Sequence, residues 1–203
     1  PVDSLKEYQG LIVPGGFGET GIEGKIVAIK FARENKIPYF GLCYGMQLMT
    51  IEYARHIVGL KDANTTEINP DTPHPVIAIL PEQVEKLAKK NYGGTMRLGA
   101  YPCDLKEGTI ARETYGKDSI SERHRHRYEI NPKYIERLEK AGLVFSGRSP
   151  DGILMEIAEL PKSVHPFFLG TQFHPEFLAR PLAPHKLFDA FIRASVERRG
   201  TRQ

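Results

Sequence analysis

An α/β fold with a largely parallel central sheet flanked by helices is predicted by three features of the sequence. Short apolar runs alternate with amphipathic stretches along most of the chain. One of those runs delivers Cys43, set between Gly41 and Gly45, straight into the next amphipathic stretch, which is the pattern of a nucleophile elbow. A glycine-rich loop, Pro14 to Gly21, follows the first apolar run where a strand would hand over to a helix. Composition permits this fold, since 203 residues at 40% hydrophobic and 26% charged are ordinary for a globular chain. It excludes a membrane-spanning helix, because runs such as Leu11 to Val13 and Ile77 to Leu80 fall far short of the roughly 20 apolar residues required.

The elements follow in order. Gln9 to Pro14 reads as a buried strand entering the glycine loop, and Glu23 to Asn35 as a helix that turns Ile26, Val27, Ile29, Phe31 and Ala32 to the sheet. Ile37 to Leu42 is the next strand and Gly45 to Val58 the next helix, with Met46, Leu48, Met49, Ile51 and Ala54 in the core. Asn64 to Pro75, rich in Asn, Thr, Asp and Pro, is a loop. Val76 to Leu80 and Thr95 to Ala100 read as strands, the second after the turn signal Gly93-Gly94. Pro132 to Lys140 is a helix ended by Gly142, and Val144 to Gly147 with Ile153 to Leu160 form a hairpin around Pro150-Asp151-Gly152. Phe167 to Phe173 is the last strand and Pro184 to Arg198 the closing helix. With no repeat or linker, residues 1–203 read as a single domain. Pro1 is not an initiator methionine and no signal-like segment follows it, so the expectation is a piece of a longer polypeptide.

Charge and cysteine content narrow the function classes. Lys and Arg number 28 against 25 Asp and Glu, a net +3, too even a balance for a domain-wide surface for polyanions. Cys43 and Cys103 form no CxxC pair, which removes a zinc ribbon or disulfide framework and points to a reducing, cytoplasmic compartment. No spacing of HExxH type occurs, so no metal site is expected. His56, His74, His165 and His185 count as structural or solvated.

Three segments carry chemistry. In Gly41-Leu42-Cys43-Tyr44-Gly45 the flanking glycines leave room for a sharp strand-to-helix turn, and a helix N-terminus favours a thiolate. The competing reading is a buried structural cysteine. Thr171 to Glu176 sets His174 at a strand end with Glu176 two positions on, the base and orienting carboxylate that a thiol nucleophile needs. In Pro14 to Gly21, Gly16, Gly18 and Gly21 formally match the dinucleotide-binding spacing, but Pro14-Gly15-Gly16 widens the turn and Glu19 stands where pyrophosphate would approach. Gly24-Lys25-Ile26 likewise fails as a phosphate-binding lysine motif. An oxyanion loop fits better, with a glycine N–H and the Tyr44 N–H as donors. The run Arg123-His124-Arg125-His126-Arg127 reads alone as a possible nucleic-acid patch, against which stand the flanking Glu122 and Glu129.

Together Cys43, His174, Glu176 and the Gly15-Gly16 loop resemble the class I, triad-type glutamine amidotransferases, which have a flavodoxin-like fold. Within that class the chain looks most like the glutaminase domains of the CTP synthase family. Pro14 to Gly18 with Gly21 to Lys25, Gly41 to Gln47, Asn64 to Glu67, Met96 to Gly99, Glu122 to Glu129 and Gln172 to Phe177 carry the resemblance over nearly the whole chain. The resemblance implies that Cys43 attacks the γ-carboxamide of L-glutamine, His174 relays the proton and Glu176 orients His174. It implies a glutamine site lined by Gly16, Tyr44, Gly45, Met46 and Gln47, with Glu67 and Arg127 for the substrate's ammonium and carboxylate. It further implies a synthase domain of the same polypeptide that uses ATP, Mg2+ and UTP, homo-oligomers formed through that domain, no nucleic-acid or membrane partner, and no cofactor for the glutaminase itself.

Three departures from the family pattern stand out. Tyr44 occupies a position more often Leu in CTP synthases, and a Tyr there is a variant also at home in GMP synthase elbows. Glu19-Thr20 replaces the x-Arg pair in the loop associated with GTP activation, which bears on any response to GTP. The family's opening strand-helix-strand segment, upstream of Gln9, is not seen. Asn64-Thr65-Thr66 matches a glycosylation sequon that an intracellular enzyme has no reason to use. The alternatives are an amidotransferase serving another acceptor, such as XMP, and a non-catalytic regulatory or nucleic-acid-binding domain on the same fold.

Overall fold

The computed structural model describes residues 2–80 and 96–200. Its elements run β1 (Leu11–Val13), α1 (Ile22–Glu34), β2 (Tyr39–Leu42), α2 (Tyr44–His56), β3 (Asn64–Thr65), β4 (Pro75–Ala78), β5 (Arg97–Leu105), α3 (Ile110–Tyr115), β6 (Ser119–His126), β7 (Glu129–Ile130), α4 (Pro132–Lys140), β8 (Val144–Arg148), β9 (Met155–Glu159), β10 (Phe168–Thr171) and α5 (Lys186–Gly200). The Gly93-Gly94 turn signal lies outside the described residues.

Seven strands form the main sheet in the order β1-β2-β10-β9-β8-β5-β6. Among the described residues of this sheet, only β1-β2 and β2-β10 pair in parallel. The other four neighbours are antiparallel. The predicted α/β architecture with its elbow is present, but the sheet is mixed where a largely parallel one was expected. The reason lies in the connections. A parallel neighbour needs a crossover, which α1 supplies between β1 and β2, whereas the short links β5-α3-β6, β8-β9 and β9-β10 let strands return beside their predecessors.

Both faces of the sheet are covered, as alternation along the central strands requires. On β2 and β10, Tyr39 and Phe168 join one core with α1 and α2, while Phe40, Leu42 and Leu169 join a second with α3 and α5. Helix α2 is buried from Tyr44 to Ala54 with no solvent stripe. It lies between the main sheet and a smaller one, β3-β4-β7, so both sides are enclosed. In α1, Ile26, Ile29 and Ala32 are buried as expected, but Val27 faces solvent at 48% exposure.

Strand β6 is absent from the hydrophobic pattern of the sequence. Its inward positions are Glu122, His124 and His126, and its outward ones Arg123 and Arg125. The two-residue period of a strand is present, but it is written in polar residues. Strand β3 likewise sits inside a segment expected to be wholly loop.

Candidate active site at the strand-to-helix elbow

Strand β2 ends at Leu42 and α2 begins at Tyr44, leaving Cys43 alone to make the turn with φ 50° and ψ −97°. A non-glycine residue holds such angles only when its surroundings fix them. Cys43 N–H donates to the Thr171 carbonyl at 2.6 Å, and its own carbonyl accepts the first helical bond from Gln47 N–H at 3.2 Å. The flanking glycines are required by contact. A Cβ on Gly45 would sit 2.2 Å from the Val13 carbonyl oxygen, and one on Gly41 would sit 2.7 Å from the Gly45 backbone.

His174 follows β10, beside the elbow. Its backbone N–H donates to the Arg123 carbonyl at 2.8 Å, which ties it to β6, and its ring stacks on Phe177 at 4.6 Å between centroids. Nδ1 lies 2.6 Å from Glu176 Oε1. A ring nitrogen paired with a carboxylate carries the hydrogen, which leaves Nε2 as the acceptor. Nε2 is buried and has no hydrogen-bond partner among the described residues. Gly15 brings the loop, the histidine and the cysteine together. A Cβ there would lie 2.8 Å from His174 Cε1 and 3.8 Å from Cys43 Cβ. Any side chain at this point would clash with the histidine ring.

The thiol's electrostatics differ from the sequence expectation. Burial pushes Cys43 up to about 12; the Tyr44 backbone N–H opposes this, the Glu176 and Glu129 charges add to it, and Gln172 opposes it. The helix N-terminus therefore does not make a resting thiolate here, because desolvation outweighs the N–H groups. Gln172 acts directly, with its Nε2–H donating to Cys43 Sγ at 3.7 Å. The sequence placed Gln172 inside a motif and gave it no role.

The residues expected around glutamine fall into three groups. Tyr44 is buried, and its hydroxyl donates to the Gly18 carbonyl at 2.6 Å, while Glu67 Oε1 accepts from Gly18 N–H at 3.1 Å. The glycine loop is thus pinned from both sides, and a carboxylate already uses the amide that a dinucleotide reading would offer to phosphate. Gly16 is exposed, next to the Tyr44 ring. Gly45 and Met46 are packed into the core, Met46 against Gly170, so only their first-turn backbone can face a ligand. Gln47 donates to the Tyr128 carbonyl at 3.1 Å. Arg127 is half-buried, with a buried Nε that has no hydrogen-bond partner among the described residues. Burial raises the Tyr128 hydroxyl, the Glu67 charge adds to this and Arg127 opposes it, so the two opposite charges act on one residue of the site.

Beneath the site runs a buried polar network that the sequence reading did not assemble. Arg97 spans Glu156 at 2.9 Å and Glu129 at 3.3 Å, and His124 Nε2 meets the other oxygen of Glu156 at 2.7 Å. His126 Nδ1 pairs with the Tyr128 carbonyl at 3.1 Å. The inward histidines of β6 thus serve the interior, and only Arg123 and Arg125 of the basic run face solvent. His165 and His185 are also structural: burial lowers His165 to about 4, and His185 Nε2 lies 2.8 Å from the buried Glu122. Among the described residues no group of three or more His, Cys, Asp or Glu is placed to hold a metal, and no helix is long and apolar enough to cross a membrane.

Comparison with known proteins matches the fold and the site's motifs. Residues 1–194 match the family described as glutamine amidotransferase class-I, and the chain belongs to that family. The CTP synthase of Shouchella clausii is 57% identical over 192 residues, which are 95% of this chain and 35% of that protein. The chain spans about a third of the length of the curated relatives it matches. The glutaminase domain of the Trypanosoma brucei CTP synthase, solved with bound acivicin, superposes with a TM-score of 0.89 at 38% identity, covering 97% of this chain and 74% of that one. Within the family, its place is among the CTP synthase glutaminase domains. A putative GMP synthase subunit from Thermoplasma acidophilum shares the fold, with a TM-score of 0.60 at 15% identity over 99% of this chain and 79% of that one.

Proposed function

We propose that the chain is one glutaminase domain that hydrolyses L-glutamine to glutamate and ammonia, and that the ammonia feeds ATP- and Mg2+-dependent conversion of UTP to CTP by a synthase domain. The observation that carries this reading is His174, whose Nδ1 is held by Glu176, whose buried Nε2 has no hydrogen-bond partner among the described residues, and whose ring meets Gly15 at the same point as Cys43 Cβ. That is a general base with its tautomer fixed and its acceptor nitrogen available.

In this reading Cys43 Sγ attacks the γ-carboxamide carbon as its proton passes to His174 Nε2. Because the thiol rests protonated, transfer accompanies attack and no free thiolate accumulates. The oxyanion is met by Tyr44 N–H and a glycine N–H of the Gly15-Gly16 loop. His174 then returns the proton to the departing nitrogen, the C–N bond breaks, ammonia leaves and a γ-glutamyl thioester remains. A water, deprotonated by the same nitrogen, adds to the thioester carbonyl; the C–S bond breaks, His174 returns the proton to Cys43 Sγ, and glutamate leaves. Glu176 stabilises the imidazolium in both halves. Glu67 and Arg127 take the substrate's ammonium and carboxylate, and the elbow turn from Tyr44 to Gln47 with Gly16 lines the pocket. The relatives named CTP synthase support UTP as the acceptor over XMP. ATP, Mg2+ and UTP belong to the synthase domain, and GTP response is tested there too.

The test is Cys43→Ala in a polypeptide carrying both domains. Glutamate release and glutamine-dependent CTP formation should vanish while CTP formation from added ammonia persists. Retained glutaminase activity in the folded variant would overturn the assignment.

A further inference from the structure

Gln172 is fully buried and bonded to the sulfur of Cys43, a position that the proposed chemistry does not yet use. Its orientation is fixed by a chain of amides. The Tyr128 carbonyl can only accept, so the Gln47 side chain must turn its NH2 toward it, at 3.1 Å. The same NH2 lies 3.4 Å from Gln172, and two NH2 groups cannot bond to each other, so Gln172 presents its oxygen there. The NH2 of Gln172 is thereby left for Cys43 Sγ, at 3.7 Å. The direction of donation is set by a backbone carbonyl at one end and delivers an N–H to the nucleophile at the other.

We propose that Gln172 is a catalytic residue of the glutaminase reaction, whose carboxamide N–H stabilises negative charge on Cys43 Sγ during attack, with Gln47 and the Tyr128 carbonyl positioning it. This rests on Cys43 being the nucleophile. The sulfur is otherwise hard to charge, since it is buried and the Glu176 charge acts against it. His174, beside it, must accept the proton, and His126 of β6 adds to the positive side only if protonated, which its burial opposes. A neutral donor aimed at sulfur favours the thiolate without adding a charge that would compete for the imidazole proton. The chain also joins the substrate side to the nucleophile, because Tyr128 follows Arg127 and Gln47 lies one turn beyond the elbow.

The test is Gln172→Met, close in volume and lacking the donor, with Gln47→Met as a second variant that leaves Gln172 in place but frees its orientation. Melting curves establish folding. The rate of Cys43 alkylation by iodoacetamide, localised by mass spectrometry to separate it from Cys103, is then followed against pH. The expected result is an alkaline displacement of the profile, with alkylation near neutral pH slowed roughly tenfold or more, the scale of losing one hydrogen bond to a charged group. A smaller displacement in the same direction is expected for Gln47→Met. In Gln172→Met, kcat for L-glutamine should fall along with the alkylation rate while KM changes little. Superimposable alkylation profiles in folded Gln172→Met and wild type would overturn the proposal. Alkylation reads the sulfur without substrate, whereas glutaminase activity in Cys43→Ala would sink the nucleophile assignment itself, so the two failures are distinct.

Discussion

Replacing Glu129 by Gln should make the protein's stability less sensitive to rising pH between about 4.5 and 8, and the size of the effect follows from the network beneath the site. Arg97 brings one positive charge to two buried carboxyls, at 2.9 Å from Glu156 and 3.3 Å from Glu129. Against its own burial, His124 and Arg97 hold the Glu156 carboxyl below the ordinary range. Glu129 receives less. Burial raises it from 4.5 to about 8, Arg97 opposes this and the Glu156 charge adds to it, and its Oε2 is buried without a hydrogen-bond partner among the described residues. The folded chain therefore keeps a proton that the unfolded chain has already released. The stability this confers is complete below the unfolded value near 4.5 and is lost as pH rises through about 8. At about 1.4 kcal/mol per pH unit the whole loss is on the order of 5 kcal/mol, a large share of a domain's stability. Gln mimics the protonated carboxyl and has nothing to release. Urea unfolding of both proteins at several pH values between 5 and 9 should show the stability difference, variant minus wild type, climbing with pH and levelling above about 8. His126 and His165, lowered by burial, titrate with the opposite sign but are present in both chains and drop out of the difference. A difference that stays flat across the range, or falls with pH, would mean that Glu129 is ionised against Arg97 and the reasoning fails.

Two further substitutions test the elbow and its loop. Gly45→Ala puts a methyl 2.2 Å from the Val13 carbonyl oxygen, so α2 must separate from β1; the expected cost is at or above the roughly 1–3 kcal/mol of ordinary overpacking, read as a lowered melting temperature. Tyr44→Phe removes the 2.6 Å bond to the Gly18 carbonyl, worth about 1 kcal/mol, and should raise KM for glutamine about fivefold with kcat nearly unchanged. A fall in kcat at constant KM would show that Tyr44 acts on the chemistry and not on the loop.

How far the sequence carried depends on which residues wrote the pattern. Most strands and helices with apolar inner faces were legible within a few residues, though α3, which buries Ile110, Ala111 and Tyr115, was not read, and Pro132 to Lys140 matched α4 at both ends, because Asn131 and Pro132 mark its start. Elbow and histidine motifs were legible for a different reason: their glycines and proline report backbone demands that few other residues meet. Mixed pairing was not legible, since strand direction is decided by the connections. The interior of β6 was not legible either, because Glu122, His124 and His126 look like surface until Glu156, Arg97 and Tyr115 are found opposite them.

The thiol shows where local rules give way to the fold. A helix N-terminus lowers a cysteine's pKa only to the extent that water still reaches the sulfur or the donors outweigh its loss. In this chain α2 is enclosed between two sheets, and the enclosure that seats Cys43 at a fixed angle also strips its solvent. Fixed geometry and a charged resting nucleophile are thus in competition at this elbow, and the fold favours geometry. The charge must then be created at the moment of attack, which is why the neighbours that count are those that receive a proton or donate to sulfur: His174, the Tyr44 N–H and Gln172. None of the three need carry a charge before substrate arrives, so the buried site avoids the cost of a standing ion pair.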